Sequence, residues 1–476
     1  MTRAPLVVVG DALLDRDLEG RAGRLAPDAP VPVVDDPAER RRPGGAALAA
    51  TLAARLDSRA VVLVTALAGD EAGVALRELL ELAGVEVVDL GLAGRTPEKI
   101  RVRADGHSLL RLDRATRPGR VGPLGPDGWR ALAGAGAVLV ADYGRGVAAE
   151  PGVRAALAGL PRRRPLVWDP HPRGPAPIPG ARLATPNRAE AAGFVPEVDG
   201  DDLAAVTARA RLLAERWTAA GIAVTLGPRG ALLVEGAGAP MVMPATPAPG
   251  GDPCGAGDRF AATAAGLLAD GALPSEAVAA AVAAAATFVT NGGATTVHLG
   301  TVSPSAGVGG SAVHSPPGER DPAMARALGM IGAVRAGGGT VVATGGCFDL
   351  LHAGHVATLR AARALGDCLI VCLNSDDSVR RLKGLERPLV PEVDRVAVLE
   401  ALGCVDVVVP FDERTPEAVL QRLRPDVFAK GGDYALADLP EAALLATWGG
   451  QAVVLPYLEG RSTTQLMKEV VRRDSH

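Results

Sequence analysis

The string Gly250-Gly251-Asp252-Pro253-Cys254-Gly255-Ala256-Gly257-Asp258 runs straight into the helical stretch Arg259 to Leu268. Glycines at this density let the backbone curl with its N–H groups inward, and the following helix adds its positive end, which makes a seat for phosphate oxygens. Asp258 closes the turn with a carboxylate able to take the proton of a hydroxyl that attacks a γ-phosphate. The amides of Gly255, Ala256 and Gly257 would meet the charge on the transferring group. Read alone, the same string is also a turn whose aspartate caps a helix. It is neither a Walker A loop, having no Gly-Lys-Ser/Thr, nor a dinucleotide fingerprint, because the third glycine is missing.

A second constellation is Gly345-Gly346-Cys347-Phe348-Asp349-Leu350-Leu351-His352-Ala353-Gly354-His355, between a strand over Thr340 to Thr344 and a helix from Val356 through Leu365. Two histidines three residues apart at a helix entry share one side of the first turn, beside backbone amides aimed at the same space. That arrangement suits a triphosphate. In nucleotidyl transfer a phosphate oxygen attacks the nucleoside α-phosphate and pyrophosphate leaves, so the site needs donors rather than a covalent nucleophile. The spacing also permits Asp349, His352 and His355 as metal ligands, although no cysteine or further histidine completes a shell.

These turns need a scaffold, and the chain supplies strand-helix alternation. Short buried-strand runs occur at Leu6 to Val9, ending at Gly10-Asp11, and at Ala60 to Thr65, Ala137 to Ala141, Leu166 to Trp168 and Ile222 to Thr225. Helical stretches at Glu71 to Leu82, Asp201 to Ala220, Asp258 to Ala269 and Ser275 to Val289 alternate with them, which predicts an α/β fold around a mainly parallel sheet. Val31 to Val34, Ile100 to Arg103 and Leu109 to Leu112 alternate differently and predict a small antiparallel flap, placed as a lid. From Ser303 to about Arg320 the sequence loses periodicity and turns rich in Ser, Pro and Gly, which marks a boundary. We therefore expect a first domain over 1–303, a linker over 304–336 ending in a helix near Ala323 to Val334, and a second domain over 337–476. In that domain strands recur near Cys368 to Leu373, Val405 to Val409, Val427 to Ala429 and Ala452 to Leu455. No tandem repeat is present, which excludes a solenoid.

Composition narrows the partners. A chain of 476 residues accommodates two or three domains. Its formal net charge of -4 offers no basic footprint for nucleic acid and no polybasic anchor for a membrane. The N-terminus has no signal-peptide pattern and no run approaches the ~20 apolar residues of a membrane span, so a cytoplasmic protein is expected. The 5 cysteines show no paired metal spacing and read as reduced thiols. Basic charge is almost all arginine, with lysine only at Lys99, Lys383, Lys430 and Lys468.

With its neighbours, the first half resembles the ribokinase-like carbohydrate kinases along most of residues 5 to 303, and the resemblance implies their fold, a mainly parallel sheet sandwiched by helices with a small β lid. It implies that Gly-Ala-Gly-Asp is the anion hole and catalytic base. Gly10-Asp11 and Pro43-Gly44-Gly45-Ala46-Ala47 match sugar-binding positions, with Asp11 on sugar hydroxyls and Gly44 and Gly45 allowing the ring close approach. Asn187 and Glu190, in Thr185-Pro186-Asn187-Arg188-Ala189-Glu190, match an Asn-x-x-Glu segment that organises ATP phosphates and Mg²⁺, Glu190 indirectly. Thr225-Leu226-Gly227 matches a nucleotide-contacting strand end. A finer resemblance, to heptose 7-phosphate kinases, runs through Leu25 to Val33, Ala141-Asp142-Tyr143-Gly144-Arg145-Gly146 and Trp168-Asp169-Pro170-His171. That family usually has Lys where Arg145 and His171 stand. The resemblance implies that Arg145 keeps a cation for a substrate phosphate; Arg101, Arg103 and Arg111 on the flap are further candidates or plain solvated arginines.

The last part resembles the His-x-Gly-His nucleotidyltransferases, which implies a Rossmann-like domain. Arg381-Leu382-Lys383-Gly384, Arg387-Pro388, Lys430-Gly431-Gly432-Asp433-Tyr434 and Gly460-Arg461-Ser462-Thr463-Thr464 have counterparts in the adenylyltransferase half of bifunctional heptose enzymes. By that resemblance His352 and His355 bind phosphates and stabilise the transition state, Phe348 lies at the nucleotide and Lys383 offsets charge. Ser462 and Thr463 cap the last helix at the phosphates, and Lys430 is a weaker candidate, structural on the bland reading. The family often has Asn at the position of Gly345. The order of the halves implies a kinase acting on heptose 7-phosphate and an adenylyltransferase making ADP-heptose, with ATP as substrate, Mg²⁺ in both steps, and a homodimer through the lid. The same chemistries on another sugar phosphate or with CTP, or a regulatory scaffold with a degenerate kinase fold, stay open on sequence.

Overall fold

The computed structural model describes residues 4–27, 29–104, 107–245, 251–296, 322–432 and 439–456. The chain divides into two compact units. One is formed by Met1–Val198, Arg209–Leu226 and Thr246–Val302, the other by Asp199–Ala208, Gly227–Ala245 and Ser303–His476.

In the first unit Leu6–Gly10 is the central strand, parallel to Val61–Thr65 on one side and Ala137–Ala141 on the other. Val85–Asp89 extends the sheet past Val61–Thr65, and Leu166–Asp169, Leu183–Ala184 and Gly221–Thr225 extend it past Ala137–Ala141, all parallel. A parallel sheet needs cover on both faces, which is why Leu6 to Val9 form an unbroken apolar run and are all buried. Helices Ala46–Leu56 and Ala256–Ala269 pack on each other and on the central strands. Their inner positions are largely alanine, including Ala49, Ala50, Ala261, Ala262 and Ala265, so the backbones approach closely without voids.

The lid differs from expectation. It is a four-stranded sheet in the order Pro32–Gly45, Ala12–Leu25, Glu98–Ala104, His107–Arg114. The first pair is antiparallel from Ala12↔Gly45 to Leu25↔Pro32, but Glu98–Ala104 runs parallel to Ala12–Leu25, so the sheet is mixed and not antiparallel. Ala12–Leu25 escapes an apolar-alternation reading because ion pairs hold it. Arg42 bonds Asp15 at 3.0 Å and Asp17 at 2.9 Å, and Arg16 bonds Glu98 at 2.8 Å.

In the second unit Val341–Gly346 is central and parallel to Cys368–Asn374 and Val427–Gly431. Val407–Phe411 lies beyond the former and Gln451–Leu455 beyond the latter, again parallel. The hairpin of Ala231–Glu235 and Met241–Met243 adds to this unit through Met241↔Val454. Helix Pro322–Ala336 contributes Met324, Ala327 and Ile331 to a core with Val341, Ile370, Val407 and Phe428. Cys368 and Cys372 are buried there as small apolar groups, and all five thiols are free. Among the described residues no helix is long and apolar enough to cross a membrane.

Candidate active sites

In the first unit the carboxyl ends of four parallel strands and the start of helix Ala256–Ala269 surround a cavity of about 220 Å³. Its lining includes Asp142, Tyr143, Asp169, His171, Thr185, Asn187, Glu190, Thr225, Gly255, Gly257 and Asp258. Gly255 caps the helix with φ 82, a left-handed conformation, and a Cβ there would sit 2.8 Å from Leu48 Cδ2. Gly257 faces open space. The amides of Gly257 and Asp258 lie in the first turn, where no intrahelical acceptor reaches them. Ala256 N–H instead donates to Pro253 O at 3.1 Å, so the turn itself uses one of the three expected anion-hole amides.

Asp258 is buried, and burial pushes its carboxyl up to about 7; the neighbouring Asp15 raises it further, while Tyr143 and Lys99 oppose the shift. Tyr143 Oη donates to Asp258 Oδ1 at 2.7 Å, and Lys99 Nζ stands 5.5 Å from the centroid of the Tyr143 ring. Burial also holds Asp169 well above the carboxylate range, with repulsion from Asp258 adding to it, although Thr185 Oγ1 donates to Asp169 at 2.8 Å. Asp142 is raised to about 7, again by burial, and its Oδ1 accepts from Gly144 N at 2.8 Å.

Asn187 and Glu190 form a reciprocal capping box on helix Arg188–Phe194. Glu190 N–H donates to Asn187 Oδ1 at 2.9 Å, and Asn187 N–H donates to Glu190 Oε2 at 2.8 Å. Both still line the cavity, and burial raises the Glu190 carboxyl. Thr225 is the lining residue at the end of its strand, while Gly227 turns the chain just beyond with φ 62.

The sugar-side residues do structural work that sequence alone conceals. Asp11 is buried and accepts from the amides of Tyr143 at 3.1 Å, Arg145 at 2.9 Å and Val147 at 3.0 Å, so it anchors the loop after Ala137–Ala141. Gly44 and Gly45 pair with Leu13 and Ala12, and Cβ atoms there would meet Leu13 Cδ1 at 2.4 Å and Asp11 O at 2.6 Å. The Arg145 guanidinium donates to Ala115 O. His171 Nδ1 accepts from Arg173 N at 3.1 Å, and burial, helped by the Arg173 charge, lowers its pKa. Arg101 is paired with Asp15 at 3.1 Å, and Arg111 with Asp113. Asp142, Tyr143 and Asp169 lie in the segments that carry the heptose-kinase resemblance, but the sequence assigns no role to them or to Lys99. The position of Asp142 and Asp169 at the carboxyl ends of parallel strands, where α/β ligands gather, was the available signal.

In the second unit His352 caps helix Ala353–Arg363, its Nδ1 accepting from Gly354 N at 3.1 Å, which leaves the ring proton on Nε2. The His352 and His355 rings stack at 3.9 Å, and Phe348 meets His355 edge-on at 5.3 Å. Burial, then the neighbouring His352, pushes the His355 imidazole down to about 4 against the opposing pull of the Leu350 backbone, so at neutral pH the ring is uncharged. Lys383 is exposed at the end of helix Asp376–Lys383 and its charge reaches His355 and Cys347.

Asp349 is buried, bonded to the Arg387 guanidinium and to the amides of Leu389 at 2.6 Å and Val390 at 3.1 Å. That use of Asp349 leaves the metal-ligand reading without support; among the described residues no group of three metal-ligating side chains converges. Lys430 pairs with the buried Glu441 at 3.1 Å, as its structural reading has it. Gly345 has room for a Cβ, with Phe428 Cζ at 3.4 Å. Ser462 and Thr463 lie outside the described residues.

The family model of pfkB family carbohydrate kinases matches residues 161–299, and that of the cytidylyltransferase-like family matches residues 343–465. A Streptomyces coelicolor protein named Bifunctional protein HldE is 58% identical over 467 residues, 98% of this chain and 96% of that protein. Proteins of the same name from Halorhodospira halophila and Caulobacter vibrioides are 39% and 38% identical. They cover 98% and 97% of this chain, and 97% and 96% of their own lengths.

Proposed function

This chain belongs to the HldE family of bifunctional proteins, and from that premise we propose that it phosphorylates heptose 7-phosphate at the anomeric oxygen and adenylylates heptose 1-phosphate to ADP-heptose, using ATP in both steps. A phosphatase on another chain removes the 7-phosphate between them. The kinase occupies 1–303 and the adenylyltransferase 337–476. The observation that carries the reading is Asp258, a buried carboxyl at a helix start, facing one cavity with Asp169, Asn187 and Glu190.

In the first step the anomeric hydroxyl gives its proton to Asp258 as its oxygen bonds the γ-phosphorus and the bond to ADP breaks. The amides of Gly255 and Gly257 meet the charge on the transferring group, and Asn187 orients the ATP phosphates. Asp11, Gly44 and Gly45 shape the sugar side, and Arg145 faces the distal phosphate. Asp169 and Glu190 line one cavity and offer carboxyl oxygens there, a donor set that fits Mg²⁺, which takes one or two carboxylates and fills its shell with water and phosphate oxygens. Bound there, the ion would neutralise charge on the phosphates.

In the second step a phosphate oxygen of heptose 1-phosphate attacks the α-phosphorus of ATP and pyrophosphate leaves. His352, His355 and the Phe348 turn hold the phosphates and Lys383 offsets the charge, with Ser462 and Thr463 assigned to the nucleotide phosphates by the family resemblance alone. The edge strand of the lid, His107–Arg114, exposes Leu109, Leu110 and Leu112, which suits pairing with a second copy in a homodimer. Both substrates are phosphorylated metabolites, which supports a cytoplasmic protein.

Mass spectrometry of products from heptose 7-phosphate and ATP, with and without an added phosphatase, tests the proposal, with CTP and other sugar phosphates run in parallel. Asp258→Asn should abolish only the first half-reaction and His352→Ala only the second, each by about 100-fold or more. No turnover of any heptose phosphate would end the substrate assignment.

A further inference from the structure

Arg395, on helix Glu392–Glu400, has a side chain only 1% exposed, and its guanidinium joins four segments of the second unit. Nη1 donates to Cys347 O at 2.6 Å and to Asn374 O at 2.8 Å, Nε to Val390 O at 2.9 Å, and Nη2 to Asp376 Oδ1 at 2.7 Å. Cys347 belongs to the glycine-rich turn before His352. Asn374 ends its strand, Asp376 starts the helix that ends at Lys383, and Val390 lies in the loop that Asp349 also grips. Only a planar fork of five donors can satisfy acceptors in so many directions; a lysine ammonium cannot reach all four at once.

The next residue shows what this grip controls. Phe348 has φ 44, a left-handed conformation that a side chain other than glycine adopts only when its surroundings enforce it. A trans peptide points its N–H opposite to its C=O, so fixing Cys347 O on the buried guanidinium turns the Phe348 N–H away from it. The same rotation presents the Phe348 ring edge-on to His355.

Resting on the adenylyltransferase reading, we propose that Arg395 is a positioning residue for nucleotidyl transfer. It holds the Cys347–Phe348 peptide so that the Phe348 amide and the His355 ring face the nucleotide phosphates, and it ties the Lys383 helix to that turn. It touches no substrate. Its effect falls on the geometry of the transition state rather than on ground-state binding of ATP.

Arg395→Lys and Arg395→Ala in the full chain test this, with the kinase half-reaction of the same molecule as the control for folding. The expected result is a loss of adenylyl-transfer kcat of about 100-fold, a KM for ATP within about threefold of wild type, and unchanged kinase turnover. Free guanidinium ion at low concentration should partly restore the Arg395→Ala variant, a rescue that a general loss of stability would not show. Wild-type kcat in a soluble Arg395→Lys protein, or a defect confined to KM, overturns the inference. Should both variants fail to fold, Asp376→Ala removes one of the four acceptors from a partly exposed position; it should lower adenylyl-transfer kcat several-fold, and an unchanged kcat overturns the inference. A wild-type protein that forms no nucleotide sugar defeats the functional reading itself, whereas wild-type turnover matched by Arg395→Lys defeats this inference alone.

Discussion

Asp258 sits where two demands meet. Burial pushes its carboxyl up to about 7, and the Tyr143 hydroxyl at 2.7 Å restrains that rise by favouring the charged form. As a base it must be ionised, so kinase turnover should fall as pH drops through about 7. Tyr143→Phe removes the donor, and the acid limb should move to higher pH, with activity at pH 7 reduced several-fold and largely recovered about 1–2 pH units above it. Stability has the opposite sense. A raised carboxyl pKa contributes stability that is full below the ordinary carboxylate range and lost as pH rises through about 7. Thermal unfolding should therefore find Asp258→Asn more stable than wild type at alkaline pH and no more stable in acid. Asp258 was legible because glycines surround it. Its bond from Tyr143 was not, because Tyr143, although part of a recognised motif, lies 115 positions away and only the fold brings the two together. Asp11, Asn187 and Glu190 were legible as positions, but the backbone amides they hold were not.

At the scale of elements, the start of helix Ala256–Ala269 contains two glycines with different reasons to be there. Gly255 is required by its φ of 82 and by Leu48, whereas Gly257 is helical and a Cβ on it would touch nothing within 4 Å. Gly255→Ala should thus lower both stability and kinase activity. Gly257→Ala should hold or raise the melting temperature, since alanine favours helix, yet cut kinase kcat/KM by about tenfold or more by filling the phosphate seat. A thermal shift set beside kinase kinetics separates the two. Elements with local punctuation were read well from sequence: Glu71–Leu82 begins where Asp70 accepts from Gly73 N at 3.0 Å, and Ala137–Ala141 is an uninterrupted apolar run. Ala12–Leu25 was missed because its 14 residues carry charges that are neutralised by ion pairs with other strands, such as Arg42 with Asp17 25 residues away, and such pairing leaves no apolar local period.

Across the whole molecule, the division into two halves was legible because each carries its own glycine-rich turn at the start of a helix and a stretch without periodicity separates them. Less legible was the make-up of the second unit, which takes in Asp199–Ala208 and Gly227–Ala245, the latter a hairpin whose pairing with Gln451–Leu455 no local pattern reveals. Lysine is scarce in the chain, yet Lys99 overlies the tyrosine beside the kinase base and Lys383 lends its charge to the His355 site. Lys430 is held by Glu441, and Lys468 lies outside the described residues. An acylating reagent selective for primary amines, followed by peptide mapping, should consequently act as a two-channel occupancy gauge. ATP with heptose 7-phosphate should shield Lys99, ATP with heptose 1-phosphate should shield Lys383, and Lys430 should stay slow throughout. A sequence so dominated by arginine thus carries its own sparse set of chemical reporters, with one at each reaction centre.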